Sequence, residues 1–335
     1  MTTKNQVRLG GSGPSVFPIA LGCMGMGAGS WYGHSDESEN IATIHEALER
    51  GVNVLDTGDF YSMGRNELLV GEALRGRRDK AIISLKFGTL RGPDGAFLGA
   101  DARPSAVKNF LAYSLSRLGV EYVDIYRPAR LDPNVPIEDT VGAIADLVKA
   151  GYVRHIGLSE VGVETIQRAA KVHPVCDVQL EYALVSRGVE ARILPALAEL
   201  GIAMTAYGVL SRGMLTGAKP KGEGDVRASF PRFVAGNVEK NQSLVDALAR
   251  VAADKGTTPV QLAIAWVRAK GVAHGVTILP TVGSRTRTQL ANAMGGIDVS
   301  LEPSEVAALE AAVPASQVVG TRYSESGMAR LDSEK

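Results

Sequence analysis

Val123-Asp-Ile-Tyr126 is a short apolar, strand-like run. Ile137-Glu-Asp-Thr-Val-Gly-Ala-Ile-Ala-Asp-Leu-Val-Lys-Ala150 is a longer helical pattern stopped by Gly151, and His155-Ile-Gly-Leu-Ser159 is a short run again. Strand, helix, strand in that order reads as two parallel strands joined by a right-handed crossover. The alternation extends both ways. Upstream, Ile19-Ala-Leu-Gly22 precedes a loop and a helix over 37–50, and Val52-Asn-Val-Leu-Asp56 precedes a helix over 67–74. Ala81-Ile-Ile-Ser-Leu-Lys86 precedes a helix over 104–118 with Pro104 in its first turn. Downstream, the 155–159 strand leads to a helix over 163–172, and Asp177-Val-Gln-Leu180 to one over 189–200. A strand over 202–207 leads through a Gly/Arg-rich segment, 211–236, to helices over 238–255 and 259–269. Val276-Thr-Ile-Leu279 and a helix over 286–294 close the series.

About eight such units favour a closed (β/α)8 TIM barrel. The expectation is one domain over residues 1–335, with a core at about 15–313 and a tail over 314–335. An N-terminal β-hairpin at 7–16 and long loops on the C-terminal face account for the excess length. The rival is an open doubly wound sheet, which would begin with a strand, G-x-G-x-x-G and a helix. Gly22-Cys-Met-Gly-Met-Gly27 lacks that spacing, and Gly10-Gly-Ser-Gly13 precedes no helix.

Lys plus Arg and Asp plus Glu both number 36, so there is no net charge to attract a polyanion, and no nucleic-acid partner is expected. Cys23 and Cys176 form no CxxC pair and fit a reducing compartment. The opening Met1-Thr-Thr-Lys-Asn-Gln6 lacks a signal peptide's apolar stretch, and no apolar run reaches about 18 residues. The expected location is cytoplasmic, away from membranes. His34, His45, His155, His173 and His274 show no metal-ligand spacing, so no metal is expected.

In such barrels chemistry sits at the C-terminal strand ends. Asp56 and Lys86 end consecutive strands, and Tyr61 follows in the loop after Asp56. A nearby ammonium lowers a phenol's pKa and makes it a better proton donor to a carbonyl oxygen. Asp56 would hold Lys86 charged and oriented. The bland reading makes them a cap, a snorkelling lysine and a core tyrosine.

The segment Leu55-Asp-Thr-Gly-Asp-Phe-Tyr61, with Asn66-Glu67 after it, resembles the Asp…Tyr segment of the aldo-keto reductases. Gly151-Tyr-Val-Arg154, Gly157-Leu-Ser159, Val178-Gln179, Ala206-Tyr-Gly-Val-Leu-Ser-Arg-Gly-Met-Leu-Thr-Gly217 and residues 276–285 are similar to further signatures of that family. The similarity spans residues 7–313. It implies an NADPH-binding barrel that transfers hydride to aldehydes or ketones, using an Asp–Tyr–Lys–His tetrad. Asp56, Tyr61 and Lys86 match three members. The fourth position, in Asp124-Ile-Tyr-Arg-Pro-Ala129, is alanine. Either Tyr61 and Lys86 suffice, or substrate or water fills the vacated space; His34 is a candidate substitute.

The resemblance also implies a cofactor site. Gly22, Met24 and Asp56 would border it. Ser159, Glu160 (where the family has Asn) and Gln179 would face the carboxamide, and Tyr207 would stack on the nicotinamide ring. Gly208, Leu210, Arg212 and Gly213 would wrap the pyrophosphate. Gly283, Ser284 and Arg285 would bind the 2′-phosphate, favouring NADP, with Gln289 and Asn292 toward adenine. Trp31, Tyr32, Tyr61 and Ala129 would line the pocket for a small carbonyl substrate. The tail segment Arg322-Tyr-Ser-Glu-Ser-Gly-Met328 is placed to fold over the mouth. The implied function is reversible carbonyl reduction, in a monomer or homo-oligomer. A cofactor-binding regulatory or weakly active subunit, or a C=C reductase, stays open because of Ala129.

Overall fold

The computed structural model describes residues 6–220 and 225–335; residues 1–5 and 221–224, within the first residues and the Gly/Arg-rich segment read above, lie outside it. The chain opens with an antiparallel hairpin, β1 (Val7–Arg8) and β2 (Ser15–Val16). The barrel strands then alternate with helices: β3 (Ala20–Gly22), α1 (Glu37–Glu49), β4 (Val54–Gly58), α2 (Arg65–Ala73) and β5 (Ile82–Phe87). A second hairpin follows, β6 (Thr89–Arg91) with β7 (Phe97–Ala100). Then come α3 (Pro104–Leu118), β8 (Val123–Pro128), α4 (Ile137–Lys149), β9 (Val153–Ser159), α5 (Val163–Val172) and β10 (Val175–Glu181). The series ends with α6 (Ile193–Leu200), β11 (Ala203–Tyr207), α7 (Asn237–Asp254), α8 (Pro259–His274), β12 (Ile278–Gly283), α9 (Arg287–Met294), α10 (Pro303–Ala312) and α11 (Glu325–Met328).

Strands β3, β4, β5, β8, β9, β10, β11 and β12 close into one all-parallel barrel. The expected helices over 104–118 and 163–172 fall as read. The expected helix over 189–200 begins only at Ile193, after a 3-10 turn at Gly188–Glu190. The hairpin β6–β7 and helix α10 were not anticipated, because neither carries the βα alternation that guided the reading.

Two apolar layers organise the core. The larger lies between strands and helices and includes Leu55, Leu85, Tyr126, Ile156 and Trp266. The smaller lies inside the barrel's lower end, where Leu9 and Val16 of the first hairpin meet Val54, Ile125, Ala203 and Leu279. The hairpin therefore plugs the base. Gly10 makes this approach possible: its φ is +65°, and an added Cβ would lie 2.5 Å from the Cys176 carbonyl oxygen.

Side chains alternate across each strand, so residues two apart share a face. Above the apolar plug this period puts Asp56, Ser84, Arg127, Asp177 and Thr205 inward as a polar layer. Arg127 and Asp177 pair at 2.9 Å with both side chains fully buried. Gly157 leaves room for that guanidinium: a Cβ there would lie 3.0 Å from Arg127 Cζ. Replacing such a pair's partner with an apolar group costs about 3–5 kcal/mol, because the other charge is stranded.

Candidate active site

Asp56 on β4 lies opposite Ser84 in register, and Gly58 lies opposite Lys86 on β5. Lys86 Nζ donates to Asp56 Oδ1 at 2.6 Å, and both side chains are buried. Gln179 Nε2 and Ser84 Oγ donate to Asp56 Oδ2 at 2.6 and 3.3 Å. Arg127 Nη2 donates in turn to Ser84 Oγ at 3.0 Å. The polar layer thus links strands β4, β5, β8 and β10 beneath the mouth and fixes the Lys86 ammonium in one place.

Tyr61 leans over this layer, with Lys86 Nζ 5.1 Å from its ring centroid. The turn that carries it is backbone-strained: Ser62 and Met63 have φ of 48° and 54°. Among the described residues the other non-glycine positive φ angles are at Glu160, Ser211 and Arg212, also in loops at this rim. Strain of this kind persists where surroundings over-determine the conformation, as at binding sites. Phe60 at 4.8 Å and Trp31 at 5.9 Å both pack edge-on against Tyr61, giving the phenol an apolar collar. Tyr32 lies beside the 225–227 segment, where Arg227 faces its ring at 5.6 Å; burial pushes its phenol up to about 12.

One expectation is corrected here. The Tyr61 phenol is raised well above its ordinary range rather than lowered, first by burial and then by the Asp56 carboxylate. Lys86 is lowered by burial, with Asp56 working against that shift. Lys86, paired with Asp56 at 2.6 Å, does not offset the rise that burial and the carboxylate impose on the phenol. Burial keeps Tyr61 protonated while making it a weaker acid than a free phenol.

Across the mouth, Ser159 ends β9 beside Gln179 of β10. Among the described residues the buried Ser159 hydroxyl has no hydrogen-bond partner, an orphan at the rim. Glu160 turns away from it. Arg322 of the tail grips its two oxygens at 3.1 and 3.0 Å, and Ser333 Oγ donates at 2.6 Å. The Tyr207 hydroxyl and the Glu181 amide donate to Oε1 at 2.8 and 3.0 Å. Burial opposes ionisation, but Arg322, Arg130 and Ser333 together hold the Glu160 carboxyl down at about 2. The carboxylate expected to face a carboxamide is committed to the tail instead.

The tail does cover the mouth. Asp332 Oδ2 accepts from Gly162 N and Thr165 Oγ1 at the start of α5, at 2.8 and 2.7 Å. The Tyr323 hydroxyl lies 3.0 Å from that of Tyr207. Arg212 is sandwiched between Phe230 and Tyr323, its Cζ 4.3 and 4.8 Å from the ring centroids, and pairs with Glu181 at 3.4 Å. Arg285 stands further round: its Nη1 donates to the Tyr32 and His34 carbonyls at 3.3 and 3.1 Å, and Gln289 accepts from its backbone at 2.8 Å. Gly25 packs against the Arg285 side chain, which brings the Met24 loop alongside. Asn292 lies further off, accepting from Thr258 Oγ1 at 2.8 Å. Ala129 is buried, and His34 makes no hydrogen bond to Tyr61 or Lys86 among the described residues.

Residues 18–314 match the aldo/keto reductase family. The chain belongs to that family. It is 37% identical over 323 residues to probable aldo-keto reductase 1 of Glycine max, covering 95% of this chain and 91% of that protein. The glycerol dehydrogenase AKR11B4 of Gluconobacter oxydans superposes with a TM-score of 0.81 at 27% identity, covering 93% of this chain and 96% of that one. The holo form of the aldo-keto reductase AKR11C1 of Bacillus halodurans gives 0.74 at 26% identity, covering 93% and 97%. The fold and an oxidoreductase class follow for this aldo-keto reductase.

Sequence reasoning missed the supports of this aldo-keto reductase site: Ser84, Arg127 and Asp177 below, and Arg130 above. The first three had a signal, since each lies two residues from a barrel-facing position on the same strand. Tyr323 lay in the tail segment expected over the mouth, but its partners Tyr207 and Arg130 were not foreseen, because tail contacts follow no period.

Proposed function

We propose that this aldo-keto reductase reduces an aldehyde or ketone with NADPH, reversibly, with Tyr61 as the proton donor. The buried Asp56–Lys86 pair directly beneath the Tyr61 ring carries the reading. When bound, the nicotinamide would supply hydride to the carbonyl carbon. Tyr61 Oη gives its proton to the carbonyl oxygen as it becomes an alkoxide, and the Lys86 ammonium lies close to the phenolate left behind. Asp56 keeps that ammonium charged and aimed. Trp31 and Phe60 exclude water from the phenol.

The residues fit the cofactor in most respects. The orphan Ser159 hydroxyl and the amide oxygen of Gln179 suit a carboxamide, and Tyr207 offers its ring beside them. Arg212 would meet the pyrophosphate. Arg285 and Ser284, just ahead of α9, suit a 2′-phosphate and favour NADP over NAD. Glu160 does not fit while Arg322 holds it.

Oxidation of NADPH with a panel of aldehydes, ketones and quinones tests the reading, with product analysis to separate C=O from C=C reduction. Tyr61→Phe should abolish turnover while NADPH still binds, measured by fluorescence titration. Unchanged turnover in that variant removes Tyr61 from the mechanism.

A further inference from the structure

The arginines at the rim share a small number of carboxylates. Arg127 has Asp177, Arg212 and Arg232 have Glu181, and Arg322 has Glu160 and Glu334. Arg130 differs. Among the described residues no carboxylate lies within 4 Å of its guanidinium, and it feels the Glu160 carboxylate, which Arg322 grips, only from further away. Its Nη1 donates to the Ala129 carbonyl at 2.6 Å and its Nη2 to the Tyr323 hydroxyl at 3.2 Å. Those bonds use only part of the five N–H donors that a guanidinium carries.

The position of Arg130 gives the remaining donors a use. It follows Ala129, whose amide donates to the Phe87 carbonyl one residue beyond Lys86. On its other side Tyr323 links it to the Tyr207 hydroxyl. The guanidinium therefore stands between the Lys86 end of the rim and the Tyr207 end. Its charge reaches Tyr61, where it favours the phenolate. Ala129 beside it is too small to fill the mouth. Among the described residues Arg91 and Arg285 have no carboxylate within 4 Å either, but Arg91 stacks on Trp31 at 4.7 Å and Arg285 donates to the Tyr32 and His34 carbonyls.

We propose that Arg130, held in place by Tyr323, is the binding site for a carboxylate on the substrate, so that the preferred substrates are carbonyl compounds that also carry a carboxylate. A guanidinium fork matches the two oxygens of a carboxylate, which a lone ammonium cannot do. The inference rests on the reductase reading and adds a substrate class to it.

The test compares matched pairs with the NADPH-loaded enzyme: succinic semialdehyde against butanal, and 2-carboxybenzaldehyde against benzaldehyde. The ratio of kcat/KM, acid over neutral, should be about 10 or more, the size of one charge-assisted contact, and should come from KM. Salt should lower the ratio. Arg130→Met should bring it near one, and Arg130→Lys should leave it between. A wild-type ratio near one, or one that Arg130→Met leaves unchanged, overturns the proposal. If Arg130→Met does not fold, the lysine variant and the salt series decide. If the wild-type enzyme oxidises NADPH with neither member of a pair, the reductase reading fails on its own. Calorimetry with benzoate and succinate then decides the anion site: binding weakened in Arg130→Lys supports it, and equal or no binding refutes it.

Discussion

The two halves of the mouth are secured in different ways. On the β4–β5 side, Asp56, Ser84 and Lys86 come from strands that pair in register, and the buried polar layer locks them from below. On the β9–β11 side, Glu160 and Tyr207 are held by Arg322, Tyr323 and Ser333, from a tail more than a hundred residues away in sequence. The first half is made by the barrel itself; the second is fastened in large part by the tail. Rigid placement suits proton transfer, where a small misplacement is expensive, while a detachable wall suits a face that must admit large molecules.

The largest effect should come from breaking the fixed half. Lys86→Met leaves Asp56 buried without its ammonium and should lower kcat by about 10³-fold, measured by steady-state NADPH oxidation. Retained kcat would mean that Lys86 is only structural. Arg127→Met should strand Asp177 and cost about 3–5 kcal/mol in denaturant unfolding, with Arg127→Met/Asp177→Leu recovering most of it. Equal losses in both variants would show that packing matters there more than charge.

The detachable half should respond locally. Arg322→Gln should speed amide exchange across residues 320–335 and around Glu160, with little change in global melting. A matching fall in global stability would erase the contrast between the two halves. The smallest effect is a pH dependence. Glu160 is depressed from 4.5 to about 2, so its contribution, about 3 kcal/mol at most, is present above pH 4.5 and disappears as pH falls through 2. Tail protection should fall over that window in the wild-type protein and stay flat in Glu160→Gln. Parallel curves would place the anchor elsewhere.

The same division governs what was readable beforehand. The barrel was legible because βα alternation and glycine stops such as Gly151 are local signals. Asp56 and Lys86 were legible because each closes an apolar run. The direction of the Tyr61 shift was not, because it depends on how completely Trp31 and Phe60 enclose the phenol and on how closely Lys86 is paired. The role of Glu160 was hidden for another reason. Its partners lie in a segment whose own sequence has no periodicity, and Arg322 could as easily have faced solvent. Arg130 was overlooked because attention fell on its neighbour Ala129, whereas the informative fact is a missing carboxylate, which only three dimensions reveal.

The Leu9–Val16 hairpin seals the floor of the molecule. A vessel with one opening forces every arrival and departure, protons included, through the same doorway. Arg322 stands beside that doorway, tied to Glu160 and Glu334, so the lip of the vessel is fastened by one guanidinium.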